Sequence, residues 1–357
     1  MKNNGDTLVI LTPAFPKSES DSNWIPSHQL LVKALKSNFP HVHIVVLSLL
    51  YPEEASAYYW NGIEVVSFNG NRRRKWKRLL LWRDVWRELG RVRREHHMIG
   101  IFSFWCGEAA LVGQYFGKRF SIPHRCWISG QDAQKGNKWV KFIRPRPEEL
   151  VAMSTFLLNT FYKHYGVKPS YVIPNAIDTE AFPAEMPAER DIDVLAVGSL
   201  WPLKRYHLLI PVIASLRAEF PEVKARHFGD GAERERLQSL IRSSGLEAYL
   251  SLSGERPHRE VLTIMQRSKI LLHTSEYEGF STVCLEALYA GAHVISFCDP
   301  IDKGSDRWHF VKSVEEMTAK AAELLRQPHA EYKPTLLYTM DDIAKSVMQL
   351  FYDTRAV

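Results

Sequence analysis

The sequence predicts an α/β protein built from two doubly wound, parallel-sheet domains. Three observations carry that expectation. At about 150 residues per domain, a chain of 357 residues has room for two cores. Its 45% hydrophobic and 24% charged residues are those of an ordinary globular protein, which excludes collagen-like and wholly disordered chains. Short β-branched and apolar runs alternate with amphipathic stretches from end to end, and this order builds parallel sheets covered by helices on both faces.

In the first half, strands are expected at 8–11, 43–47, 63–67, 99–104, 125–128, 151–153 and 171–173, with a helix over 27–36. Between 174 and 191, Pro174, Pro183 and Pro187 with small and charged residues interrupt both periodicities, so the linker centres near residue 185. The second half restarts the pattern with strands at 193–197, 224–228, 249–253, 270–272 and 293–297 and a helix over 206–217. A last amphipathic helix is expected over 341–352, with Thr339 as its N-cap. The domains are therefore 1–180 and 181–335, and 336–357 forms a C-terminal helix that packs back on the first domain.

Charge is unevenly placed. The 46 Lys+Arg against 40 Asp+Glu give +6, yet residues 72–94 alone hold eleven basic and two acidic side chains. In that stretch Leu79, Trp82, Trp86 and Leu89 recur at helical spacing and define one apolar face. Arg78, Arg83, Arg87, Arg91 and Arg94 lie around the other sides. One reading is a helix that covers the first sheet with its charges in water. A second is contact with an anionic membrane surface through Arg72, Arg73, Arg74, Lys75, Lys77 and Arg78, with Trp76 at the interface. Nucleic acid is the least favoured of the three.

The four cysteines, Cys106, Cys126, Cys284 and Cys298, show neither CxxC nor zinc-ligand spacing, so a reducing cytosol is expected. Near the N-terminus the apolar run at 8–11 is too short for a signal-peptide core. Nowhere do about 18 apolar residues run together, so no membrane span is expected. The expected location is the cytoplasm, with peripheral attachment to the inner face of the cytoplasmic membrane through the basic stretch.

The chemistry concentrates in Glu278-Gly-Phe-Ser-Thr-Val-Cys-Leu-Glu286. Two carboxylates stand eight positions apart, the first in a loop after a strand and the second on the helix that begins near Ser281. A helix N-terminus after a parallel strand suits a phosphate, and the two acids would flank it. One would reach a nucleoside sugar and the other a transferred sugar.

This stretch resembles the EX7E motif of the retaining glycosyltransferases of family GT4. The resemblance extends through the second half. Ile173-Pro-Asn-Ala-Ile-Asp178 resembles the family's IPNGID linker, Val197-Gly-Ser-Leu200 through Lys204 its VGRL…EKG loop, and Phe228-Gly-Asp-Gly231 its GDGP turn. It implies the GT-B fold, two Rossmann-like domains facing a cleft. By the same resemblance Lys204 holds the donor diphosphate, Glu286 the ribose and Glu278 the donor sugar. Gly279, Phe280, Ser281, Thr282 and Val283 would supply backbone N–H groups around sugar and phosphates. Gly198, Ser199 and Gly229 would form the phosphate-side turns, and Arg256 lies in the loop that meets the base.

Three departures stand out. Ser199 occupies the place of the family's arginine, which makes Arg205 the candidate second cation. The segment after the first strand, Thr12 to Asn23, has no glycine pair. The family's HGxD stretch is Ser129-Gly-Gln-Asp132 here, which leaves Asp132 and Ser129 as candidate site residues without an imidazole. The expected catalytic set is Glu278, Lys204 and Asp132. No cofactor or metal is expected, and Asp191-Ile-Asp193 is read as a strand start rather than a metal site.

The expected function is retaining transfer of a sugar from a nucleoside diphosphate donor, UDP or GDP, to a glycan or lipid-linked acceptor in cell-surface polysaccharide synthesis. The competing readings are another GT-B enzyme, such as a sugar-nucleotide epimerase or phosphorylase, or a degenerate nucleotide-binding scaffold at the membrane.

Overall fold

The computed structural model describes residues 3–21, 26–73, 76–185, 187, 189–298, 304–327 and 332–353. The chain forms two compact units, Met1–Ala176 with Tyr338–Val357, and Ile177–Leu337.

In the first unit the strands are β1 (Asn3–Ala14), β2 (His43–Tyr51), β3 (Ala55–Trp60), β4 (Ile63–Phe68), β5 (His96–Phe104), β6 (His124–Ile128), β7 (Leu150–Ala152) and β8 (Tyr171–Val172). They make one sheet in the order β3-β4-β2-β1-β5-β6-β7-β8, parallel throughout except for the β3/β4 hairpin. The order runs outward in both directions from β1 and β5, so the topological switch point lies between those two strands. Leu8 and Ile10 of β1 pack into one hydrophobic cluster and Val9 and Leu11 into another, because this sheet is covered on both faces.

The covering helices are α1 (Pro26–Asn38), α2 (Lys77–Glu95), α3 (Glu108–Phe120), α4 (Gly130–Ala133), α5 (Lys138–Ile143) and α6 (Thr155–Tyr165). The basic stretch is helical as expected, but its buried face differs. Leu81, Val85, Leu89 and Val92 are fully buried, whereas Leu79 is 61% exposed. The row at 81, 85, 89 and 92 is also helical in period and presents branched aliphatics of one size to the sheet. Trp82 and Trp86 flank that row and meet other rings, Trp139 at 6.2 Å and Phe116 at 4.9 Å between centroids.

The second unit is a six-stranded, all-parallel sheet in the order β11-β10-β9-β12-β13-β14. Its strands are β9 (Ile192–Val197), β10 (Ala225–Phe228), β11 (Leu250–Leu252), β12 (Ser268–His273), β13 (His293–Ser296) and β14 (Trp308–Phe310). Its helices are α7 (Leu209–Glu219), α8 (Arg234–Ser243), α9 (His258–Gln266), α10 (Thr282–Tyr289) and α11 (Val314–Leu325). Here the order reverses between β9 and β12. Ligands in such sheets bind in the crevice outside the carboxyl ends of the strands at that reversal, and both halves of the EX7E stretch follow β12.

The chain ends in α12 (Met340–Tyr352), which belongs to the first unit and packs beside α1. Thr339 caps it, accepting the Asp342 N–H at 3.1 Å. Phe351 lies flat against β5 where residue 100 is glycine, and a Cβ there would collide with the phenyl ring.

Candidate functional site

Two loops meet at the β9/β12 switch point. The first leaves β9 through Gly198 and passes a turn of 3-10 helix, Pro202–Lys204, to Arg205, which adopts left-handed backbone with φ 53°. The second leaves β12 at His273 and carries Glu278 toward α10. Hydrogen bonds to the backbone carbonyls of the first loop stitch the two together. Thr274 Oγ1 donates to the Lys204 carbonyl at 2.6 Å, and the Glu276 N–H donates to the Leu203 carbonyl at 3.3 Å. Gly198 and Gly229 allow β9 and β10 to end side by side. Gly229 has φ +133°, and a Cβ on it would collide with the Gly198 carbonyl oxygen.

This framework brings Lys204 and Glu278 into a direct ion pair. Both are sheltered, with side chains 27% and 15% exposed. His273, which is 4% exposed, places Nε2 3.3 Å from the same Glu278 oxygen and 3.4 Å from Ser281 Oγ. Burial alone would make the Glu278 carboxylate harder to ionise. The His273 hydrogen bond and the Lys204 charge outweigh it and bring the group down to about 2. Glu278 is thus a fixed anion at neutral pH, held between an ammonium and an imidazole.

Eight residues on, Glu286 lies on α10 with its side chain 16% exposed and accepts a hydrogen bond from His258 Nε2 at 2.8 Å. That bond raises the His258 imidazole above its ordinary value, against the opposing effect of burial. Ser281 gives the first turn of α10 no side-chain cap, a helix start suited to an anion. The two carboxylates of the EX7E stretch are therefore separated by a helix N-terminus.

Other expected site residues fall into place around these groups or away from them. The Arg205 guanidinium lies over the Phe297 ring, 5.4 Å from its centroid. Arg256 pairs with Glu260 at 3.6 Å and lines a groove of about 300 Å³ with Arg226, Phe228 and Thr263. Ser199 follows Gly198 without adding a cation to the loop. Cys284 and Leu285 are buried core residues.

Asp132 is in the first unit, buried on α4, where it closes a capping box by accepting the Ser129 N–H at 2.7 Å. Burial pushes its carboxyl up to about 6 against the hydrogen bonds from Ser129 and Cys106. In this geometry Asp132 fixes the start of α4. Asp191 and Asp193 pair with Arg267 and Lys269, as a strand start would have it.

Two further candidates are His273, which the motifs do not include, and His258, which ends the loop 254–258 that the resemblance sets near the base. Their signal was positional: one ends β12 and the other starts α9, and both stand at the carboxyl edge of the sheet.

In the basic stretch, Arg72 pairs with Glu53, Arg73 with Asp84 and Arg78 with Glu108. Lys77 has no ion pair among the described residues, and Arg74 and Lys75 lie outside them.

Residues 178–333 match the family model described as Glycosyl transferases group 1. The gpi3 subunit of phosphatidylinositol N-acetylglucosaminyltransferase from Schizosaccharomyces pombe is 31% identical over 206 residues, 56% of this chain and 45% of that protein. Glycogen synthase from Mycobacterium tuberculosis is 25% identical over 177 residues, 48% and 43% of the two chains. The chain spans about half the length of the curated relatives it matches. Among solved structures, sucrose-phosphate synthase from Thermosynechococcus elongatus superposes with TM-score 0.71 at 14% identity, covering 99% of this chain and 100% of that one. The Anabaena protein HepE, solved with UDP-glucose, gives 0.66 at 16% identity, covering 98% and 99%. Residues 178–333 thus resemble the group 1 glycosyltransferases, and the two parallel-sheet units have the GT-B fold.

Proposed function

We propose that this protein is a retaining, metal-independent glycosyltransferase of the GT4 type. It moves a sugar from a nucleoside diphosphate donor to a glycan or lipid-linked acceptor at the cytoplasmic face of a membrane, in cell-surface polysaccharide synthesis. The observation that carries this reading is the cluster Lys204–Glu278–His273 at the β9/β12 switch point, with Glu286 one helix turn-start away. A lipid-borne acceptor agrees with the name of the gpi3 relative, whose lipid is a phosphatidylinositol.

In the reaction the bond from the anomeric carbon to the diphosphate oxygen breaks as the acceptor hydroxyl bonds to the same face of the sugar. The departing diphosphate takes the hydroxyl proton. Negative charge grows on that diphosphate, where Lys204, Arg205 and the first N–H groups of α10 stabilise it without a metal. Glu278, anionic throughout, orients sugar hydroxyls, and Glu286 accepts from a ribose diol.

A thermal-shift series with UDP, GDP and ADP and their sugars tests the donor site, because a cognate nucleotide stabilises by mass action. One nucleotide diphosphate is expected to raise Tm in the wild type and to fail with Lys204→Ala. No response to any of them would overturn the reading. Nucleotide binding without transfer to any acceptor would favour the scaffold instead.

A further inference from the structure

We propose that the first unit docks on an anionic lipid surface through α5 and the start of α2, a patch that the sequence reading placed wholly on the basic stretch 72–78. The proposal rests on reading the acceptor as membrane-borne for its purpose, and on the first unit alone for its evidence.

The patch is continuous. Leu79 stands one turn before Trp82, Trp82 meets the Trp139 ring at 6.2 Å, and Trp139 meets Phe142 at 6.4 Å. Tyr115 of α3 donates its hydroxyl to the Phe142 carbonyl at 3.1 Å. Large apolar groups along this line face solvent, with Leu79 61%, Phe142 54% and Tyr115 52% exposed. Single exposed apolar residues are ordinary, but a contiguous run of them marks an interaction site.

The charge around this run names the occupant. Residues 135–146 carry Lys135, Lys138, Lys141, Arg144 and Arg146 and no acidic side chain. Lys138 lies over the Trp139 ring at 5.2 Å, and among the described residues only Arg146 of the five forms an ion pair, with Glu148 at 3.9 Å. The acids nearest on α2 and α3 are already matched, Asp84 by Arg73 and Arg83 and Glu108 by Arg78. Aromatic and aliphatic side chains ringed by uncompensated lysines suit the boundary between headgroups and acyl chains of an anionic bilayer. A protein partner of matching acidity would need its own apolar face, which nothing here specifies.

Co-sedimentation of the full chain with phosphatidylcholine vesicles, with and without 30 mol% phosphatidylglycerol (~30% by design), tests this. Wild type is expected to bind only the anionic vesicles. Lys138→Gln with Lys141→Gln should lower the partition coefficient roughly 30-fold, from about fivefold per neutralised cation. Phe142→Ser should lower it with the lysines intact. Arg87→Gln with Arg94→Gln removes two exposed cations farther along α2, up to about 22 Å from Leu79 at 1.5 Å per residue, and should change it little. Equal loss in both double variants, or no anionic binding at all, would overturn the proposal. Nucleotide thermal shifts on the same samples report the donor site separately, so a failed transferase reading leaves this result interpretable.

Discussion

Replacing Lys204 by methionine keeps most of the side-chain stem and removes only the charge beside Glu278. Holding the Glu278 carboxyl at about 2, against an ordinary 4.5, makes its ionised form favoured by the fold. At about 1.36 kcal/mol per pH unit, that preference contributes about 3 kcal/mol at neutral pH. Both partners are less than one-third exposed, so solvent screening leaves most of it in place. The sign follows from the lowered value: the contribution is full above about 4.5 and is lost as pH falls toward about 2.

Without Lys204, burial works against the anion with His273, through its hydrogen bond and its charge, left to oppose it. Since His273 supplies part of that preference, Lys204→Met is expected to destabilise the protein by about 1–2 kcal/mol more at pH 7 than at pH 2.5. Urea unfolding at the two pH values measures this difference. In a Glu278→Gln background the same substitution should cost nearly the same at both. An equal cost at pH 7 and pH 2.5 with Glu278 intact would refute the electrostatic account of the pair.

Glu286→Gln keeps the side-chain size but weakens an acceptor for a ribose diol, so nucleotide affinity by calorimetry should fall about 10- to 100-fold, the worth of one or two charge-assisted hydrogen bonds. The Glu286 bond favours protonated His258 in the free protein. A ribose that takes Glu286 should release that proton, so nucleotide affinity should rise as pH increases through the His258 titration, and His258→Gln should flatten the dependence. Gly229→Ala adds a Cβ against backbone at a positive φ and should cost more than about 2 kcal/mol, read as a lowered Tm.

Most of the fold was legible because buried parallel strands write themselves as short apolar runs, and β1, β5 and β9 have both faces covered. The strands missed are those without that burial. β3 is largely exposed, with Tyr59 75% accessible, and β14 is half-buried. β3 did leave a local trace. Asn61-Gly62, both at positive φ, is the two-residue hairpin turn that joins it to β4, a local mark of antiparallel pairing in an otherwise parallel sheet. At 72–94 the period was right and the phase was wrong, because two rows of a helix share one period and only the sheet chooses between them.

At the candidate site, the family resemblance named Lys204, Glu278 and Glu286, and the fold sets them on the two loops and the helix that follow β9 and β12. Spacing is silent on what holds them. His273 acts on Glu278 from five residues away across a strand end, and His258 on Glu286 from the start of another helix. Ion pairing changes the meaning of net charge in the same way. The sum over 72–94 includes Asp84 and Glu88 but leaves out Glu53, Glu64, Glu95 and Glu108, which pair with Arg72, Arg78 and Arg91 in the folded unit. The smaller run at 135–146 has no such acids folded onto most of it. An anionic surface that also takes up apolar groups favours α5, where exposed Phe142 stands beside Lys138 and Lys141, although α2 keeps more cations outside ion pairs.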